Sequence, residues 1–234
     1  MGPRAIDGAD RPAYLVNDFT STPPPPVKHI ADSTVRRLSL YLRFLEEFER
    51  QGHDTISSGE LARSGGTTSA QVRKDLSFFG SFGTRGLGYV VTDLIASLRR
   101  ILGLEARWPV IIIGAGKIGA ALAQYRGFGV HGFDVVGVYD TDPARVGTLL
   151  AGQTVRPDAA LEADIARLQP RIAVLCIPGD AAQAQLDRVA RAGIRAVLNF
   201  APAALDAPTG VTVRTVNMAT ELEVLAFALT NPGA

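Results

Sequence analysis

The strongest constraint on this chain is the segment PVIIIGAGKIGAAL at residues 109–122. The run at 110–113 is wholly apolar and β-branched, as expected of a strand covered on both faces. It passes directly into Gly114-Ala115-Gly116-Lys117-Ile118-Gly119, and a helical stretch follows. A Gly-x-Gly-x-x-Gly motif alone is weak, but strand before and helix after are the context that gives it meaning. Gly114 permits the sharp turn, Gly116 lets backbone approach a pyrophosphate, and Gly119 lets helix and strand pack closely. The helix start then offers N–H groups and partial positive charge to phosphates.

Similar apolar runs recur at 135–139, 172–177 and 196–200, with helical stretches at 118–125, 158–168 and 181–192 between them. This β-α alternation predicts a mostly parallel, doubly wound sheet, an α/β Rossmann domain over 108–216. A last helix, about 219–229, carries Leu222, Leu225 and Leu229 on one face; following a finished sheet, it needs something to pack on, and a partner subunit is one candidate.

A dinucleotide site also needs an acidic residue at the end of the next strand, and VVGVYD at 135–140 supplies Asp140, with Thr141 beside it. Asp140 can accept from the adenosine ribose hydroxyls and would repel a 2′-phosphate, which favours NAD(H) over NADP(H). The nearby Arg145 weakens that preference. Cys176, Ile177 and Pro178 end a later strand, where ligands sit in open α/β sheets, and are expected toward the nicotinamide end. The expected cofactor-binding set is thus Gly114 to Gly119, Asp140, Thr141, Cys176, Ile177 and Pro178. Competing readings are a Rossmann domain that binds nothing, or one that binds S-adenosylmethionine.

The first half reads differently. Residues 1–30 lack periodicity and contain four consecutive prolines at 23–26, which predicts an extended or disordered arm. Val35, Leu38, Leu42, Leu45 and Phe48 then recur at spacings of three and four, so a first helix runs from Thr34 to a stop at Gly52. A short second helix is capped by Ser57 or Ser58, and Thr67 or Thr68 caps a third over 69–79. Glycines 80, 83, 86 and 88 predict a hairpin, and another helix spans 92–102. Three helices and a glycine-rich hairpin make a winged-helix domain over 31–107. The third helix would enter the major groove of DNA. Gln71, Arg73 and Lys74 are its candidate base or phosphate contacts, Ser69 and Ser77 its phosphate anchors, and Thr84 and Arg85 lie at the hairpin tip. Asp75 reads instead as a structural partner for a nearby arginine. Phe82 and Tyr89 read as anchors of the hairpin. The competing reading is a small helical domain with a solvated charged face.

Charge gives modest support. Residues 28–107 hold 12 Lys/Arg against 9 Asp/Glu, and 108–234 hold 10 against 11. A single cysteine excludes an internal disulfide framework and fits a reducing cytoplasm. No apolar run reaches the ~20 residues of a membrane span, and no signal-peptide pattern opens the chain. His29, His53 and His131 are scattered, which argues against a metal site. For Cys176 a buried, inert thiol competes with a redox-sensing one.

The stretches VRRLSLYLRFLEEFERQG, SAQVRKDLSFFGSFGTRGLGY, GAGKIGAALAQYRGFG, VYDTDPARVG, AGIRAVLNFAP and TELEVLAFALTNP together closely resemble the bacterial redox-sensing transcriptional repressors of the Rex family, over residues 35–232. The resemblance implies a homodimer with an N-terminal winged helix, a Rossmann domain and a C-terminal helix, 217–234, swapped onto the partner. It implies binding to inverted-repeat, double-stranded operator DNA when NADH is scarce, release when NADH rises against NAD⁺, and no enzymatic role. It also points to Arg43 and Tyr125 as members of a redox-sensing network with an acidic residue of the C-terminal segment. That position aligns here with Asn217, which keeps hydrogen-bonding capacity but has no charge. The main rival is an NAD-dependent dehydrogenase. Against it, the 34 residues after Phe200 contain no His, Lys or Cys to serve as the usual acid or base. A ligand-binding regulator without a DNA role is a further rival.

Overall fold

A computed structural model of the chain describes residues 30–83 and 88–231. The arm over 1–30, apart from Ile30, and the hairpin-tip residues Thr84 and Arg85 lie outside them. The chain divides into two compact units that meet between Glu105 and Ala106.

The first unit is built from α1 (Asp32–Arg50), β1 (Thr55–Ile56), α2 (Ser58–Ser64), α3 (Ser69–Ser77), β2 (Tyr89–Val90) and α4 (Val91–Ile101). Its core is Leu38, Tyr41, Leu42 and Leu45 from α1, Leu61 from α2, Val72 and Leu76 from α3, and Leu94 and Leu98 from α4. The inward stripe of α1 starts at Thr34, not Val35, which is 40% exposed. Thr34 lies in line with Leu38 and Tyr41 and faces a buried polar group on α3, described below. Local chemistry sets the helix starts. Ser57 and Glu60 form a reciprocal capping box at α2, and the Thr68 hydroxyl accepts from Gln71 N at α3. The strand after the glycine-rich segment, β2, pairs antiparallel with β1, Ile56 facing Tyr89. Tyr89 is buried and Phe82 packs against the same core, so both anchor the segment as expected.

The second unit holds β3 (Trp108–Ile113), α5 (Lys117–Ala123), α6 (Gly127–Val130), β4 (Phe133–Asp140), a small β5 (Leu149–Leu150) and β6 (Gln153–Thr154) hairpin, and β7 (Arg156–Pro157). A 3₁₀ turn (Asp158–Ala160), α7 (Leu161–Leu168), β8 (Ile172–Leu175), α8 (Gly179–Arg191), β9 (Ala196–Asn199), β10 (Thr212–Thr215) and α9 (Met218–Thr230) follow. The six-stranded sheet has the order β10-β9-β8-β3-β4-β7, and all its pairs are parallel. This is the doubly wound order, with its reversal between β3 and β8, where a crevice opens at the carboxyl ends of the strands. Side-chain alternation along β3 feeds two cores: Ile111 and Ile113 pack with Leu161, Ile165, Leu186 and Val189, while Val110 and Ile112 pack with Val138 and Val174. Strand β8 ends at Leu175, so Cys176 belongs to the loop rather than to the strand.

Helix α9 is the exception to this burial. No residue in it is buried, and Met218, Leu222, Leu225, Phe227 and Leu229 are all exposed, Leu229 by 83%.

Candidate functional site

At the sheet reversal a cavity of about 660 Å³ opens between the loops after β3, β4, β7 and β8. It is lined by Gly114, Gly116, Lys117, Ile118, Asp140, Thr141, Cys176, Ile177 and Pro178, joined by Ile113, Asp142, Arg145, Asp158, Ala181 and Gln185. Of the residues expected from sequence, Ala115 and Gly119 lie behind this wall and shape it.

Each glycine acts differently. Gly114 has φ +97, and a Cβ on it would lie 2.3 Å from the Cys176 carbonyl oxygen, so the β3 and β8 loops close on each other only through this glycine. A Cβ on Gly119 would lie 1.8 Å from the Gly114 carbonyl oxygen, which fixes α5 against the turn. Gly116 is unlike both: the nearest atom to a Cβ there is the Arg145 guanidinium, 4.0 Å away. No protein packing requires Gly116, and a side chain on it would take up cavity space beside the turn. The fit to a dinucleotide rests on this cradle, since a backbone bare of side chains is what a pyrophosphate needs to approach.

Asp140 ties the cradle together. Its Oδ2 accepts from Ala115 N at 2.7 Å and from Arg145 Nη1 at 3.2 Å, and its Oδ1 from Asp142 N at 2.8 Å. Burial pushes the carboxyl up, but these backbone N–H groups and the guanidinium more than offset it and hold it below its ordinary value. It is therefore anionic at neutral pH. Each carboxylate oxygen has two acceptor positions, so Oδ1 keeps one for a ribose hydroxyl. Arg145 also reaches Asp142 at 3.5 Å. Two carboxylates to one guanidinium leave a net negative patch, which disfavours a 2′-phosphate despite the arginine.

Cys176 is half-buried, and burial pushes its thiol up to about 12. It is therefore protonated at neutral pH. Among the described residues no group of three or more His, Cys, Asp or Glu could hold a metal ion.

In the first unit, α3 exposes Arg73, Lys74 and Ser77, with Ser69 half-exposed at its start and Phe78 exposed just past its end. Arg73 Nη1 donates to Ser58 Oγ at 2.9 Å, bracing α3 against α2, and Ser77 Oγ donates to the Lys74 carbonyl. Gln71 is half-exposed on the same helix. Its amide donates inward to Asp75 Oδ1 at 2.8 Å. Asp75 is fully buried and is gripped by Arg37 through Nε at 2.7 Å and Nη2 at 2.7 Å, with Tyr41 Oη donating at 3.1 Å. Burial alone would raise the Asp75 carboxyl, yet Arg37, Gln71 and Tyr41 bring it below its usual range; burial and the same carboxylate push Tyr41 up to about 12. Asp75 is thus the arginine partner expected from its position, and it fixes α3 to α1.

Of the three residues of the expected sensing network, Arg43 belongs to the first unit and Tyr125 and Asn217 to the second. Arg43 is exposed on α1 of the first unit. Tyr125 is 53% exposed, edge-on to Phe128 at 5.3 Å, its ring folded over Gly127 so closely that a Cβ there would lie 2.3 Å from it. Asn217 caps α9, its Oδ1 accepting from Ala219 N at 3.0 Å. Asp142, Asp158 and Gln185 were not anticipated in the cavity wall. Asp158 follows a two-residue strand too short to show periodicity, and Gln185 on the polar side of α8 looks like any solvated helix residue.

Residues 29–77 match the family model described as a putative DNA-binding protein N-terminus, and residues 105–203 match the CoA binding domain. The chain is 45% identical over 200 residues to the redox-sensing transcriptional repressor Rex of Pelotomaculum thermopropionicum, covering 86% of this chain and 94% of that one. It is 46% identical to the repressor of the same name from Streptomyces coelicolor, over 85% of this chain and 77% of that one. Among solved structures it is similar to RSP in complex with β-NAD⁺ and operator DNA, with TM-score 0.82 and 39% identity over 87% of this chain and 94% of that one. The same repressor with β-NADH gives 0.80 and 37%, over 87% and 95%.

Proposed function

This chain belongs to the Rex family of redox-sensing transcriptional repressors, and on that premise we propose that NADH held in the β3–β8 cavity weakens the grip of α3 on operator DNA. The chain is a repressor rather than an enzyme, its dehydrogenase-like fold notwithstanding. The observation that carries the mechanism is one chain holding both parts: a glycine cradle with an anionic Asp140 in one unit, and a capped helix-turn-helix with an exposed basic face in the other.

Gly114, Gly116 and the start of α5 would hold the pyrophosphate, and Asp140 the adenosine ribose. Ile113, Ile118, Ile177 and Pro178 give the remaining wall its apolar character. NAD⁺ carries a ring charge that NADH lacks, and an apolar wall disfavours that charge. The bound group supplies the redox signal; the protein supplies differential binding. A ligand shifts an equilibrium only by its difference in affinity for the two states.

Ser69, Gln71, Arg73, Lys74 and Ser77 are the α3 residues we assign to DNA; Gln71 gives one N–H to Asp75 and keeps its Oε1 and second N–H for a base or phosphate edge. The protein acts where the DNA is, in the cytoplasm, and none of its described helices is long and apolar enough to cross a membrane. Binding to an inverted-repeat duplex is expected to weaken steeply with salt, since phosphate contacts release counterions. Lys74→Ala should lower affinity for all sequences alike and reduce the log–log salt slope by about one. Duplex binding indifferent to salt would contradict this reading.

An inverted repeat asks for a two-fold protein. A helix apolar on most sides is ordinarily buried, and α9 supplies one, so we place it against a second copy as the dimer contact. Leu225→Asp should shift the protein toward monomer in sedimentation and weaken its binding to the inverted repeat. An unchanged dimer would remove α9 from the contact.

A further inference from the structure

The cavity extends past the residues that the glycine motif and Asp140 account for. Beside Asp140 on the carboxyl edge of the sheet, Asp158 follows the edge strand β7, and Gln185 on α8 completes the wall. These two are coupled: Gln185 Nε2 donates to Asp158 Oδ1 at 3.0 Å. Asp158 is itself fixed by Arg188, which ion-pairs with its carboxylate and donates from Nη2 to its carbonyl at 3.0 Å, while Glu162 braces the same guanidinium. An ion-paired carboxylate only accepts, so the amide nitrogen of Gln185 must face Asp158 and its carbonyl Oε1 must turn away. Among the described residues Oε1 accepts no hydrogen bond. The cavity wall therefore carries an oriented amide with one open acceptor and one remaining N–H donor.

An adenine edge is complementary to that pair, because its N6 amine donates while a neighbouring ring nitrogen accepts. We propose that Gln185, oriented by Asp158, reads the adenine base of the dinucleotide and makes this site selective for it over other purines. The proposal rests on the cofactor reading above. Gln185 is the contacting residue; Asp158 and Arg188 are positioning residues that stop the amide from turning. A freely turning amide would accept either a donor or an acceptor and discriminate nothing.

The test compares NADH with its hypoxanthine counterpart, in which a carbonyl replaces the N6 amine, by calorimetric titration of the full-length protein. A carbonyl facing Oε1 leaves two acceptors opposed, so the wild type should bind NADH about ten-fold more tightly. Gln185→Leu should bring the ratio close to one while the protein still folds, since the position is only half-buried. Asp158→Ala should also shrink the ratio, by freeing the amide to turn, which a merely structural Asp158 would not do. A wild-type ratio near one, or a preference that survives in Gln185→Leu, would overturn the proposal. Failure of the wild type to bind either dinucleotide would overturn the cofactor reading together with it, and is a distinct result from equal binding.

Discussion

Gly119→Ala is expected to lower NADH affinity about a hundred-fold. The added Cβ would sit 1.8 Å from the Gly114 carbonyl oxygen, and Gly114 cannot yield because it is already closed against the Cys176 carbonyl. Overpacking of this kind costs up to about 3 kcal/mol, which is a loss of about a hundred-fold in affinity if expressed at the site. A fluorescence titration with NADH reads it directly. Gly116→Ala separates packing from binding. Its Cβ meets only the Arg145 guanidinium at 4.0 Å, so thermal stability should hold while cofactor affinity falls. Wild-type affinity in Gly119→Ala would show that the turn does not cradle the ligand.

Arg37→Ala should produce the largest loss of stability in the DNA-binding unit. It leaves the Asp75 carboxylate buried with only neutral donors, and stripping one partner from a buried ion pair costs about 3 kcal/mol. Operator affinity should fall with it, because α3 is fixed to α1 through this group, whereas NADH titration should stay close to wild type. The acid response follows from the same pair. The folded Asp75 carboxyl lies below its ordinary value, so its contribution is fully present above about pH 4 and is lost as pH falls through the lower folded value. Denaturant melts of the first unit across that window, compared with Asp75→Asn, should show this share of the acid loss disappearing in the variant.

The Rossmann half was largely legible because its signals are local and redundant. Four apolar strands, the glycine turn and the acid at the end of β4 each occupy consecutive residues. What escaped was short or depended on contacts distant in sequence. β7 has two residues and β10 alternates too weakly to stand out, yet they are the two edges of the sheet. The link between Gln71 and Asp75, one turn apart on a basic helix, could not be read from spacing. Only the arrival of Arg37 and Tyr41, 38 and 34 residues upstream, shows Asp75 to be buried and one Gln71 N–H to be given to it. Val35 was placed in the core by spacing alone, and Thr34 took the position because that same carboxylate needed a donor. Gln185 lies in the cavity only because α8 follows the crossover that puts β8 beside β3.

The central claim is coupling between cofactor and DNA, and anisotropy of a labelled inverted-repeat operator duplex tests it most directly. Duplex affinity is measured at fixed salt with no cofactor, with saturating NADH and with saturating NAD⁺. NADH should weaken DNA binding about ten-fold or more, which corresponds to about 1.4 kcal/mol of coupling, and the duplex must weaken NADH binding by the same factor. NAD⁺ should change little. Equal effects of the two cofactors, or DNA binding that ignores both, would contradict the account.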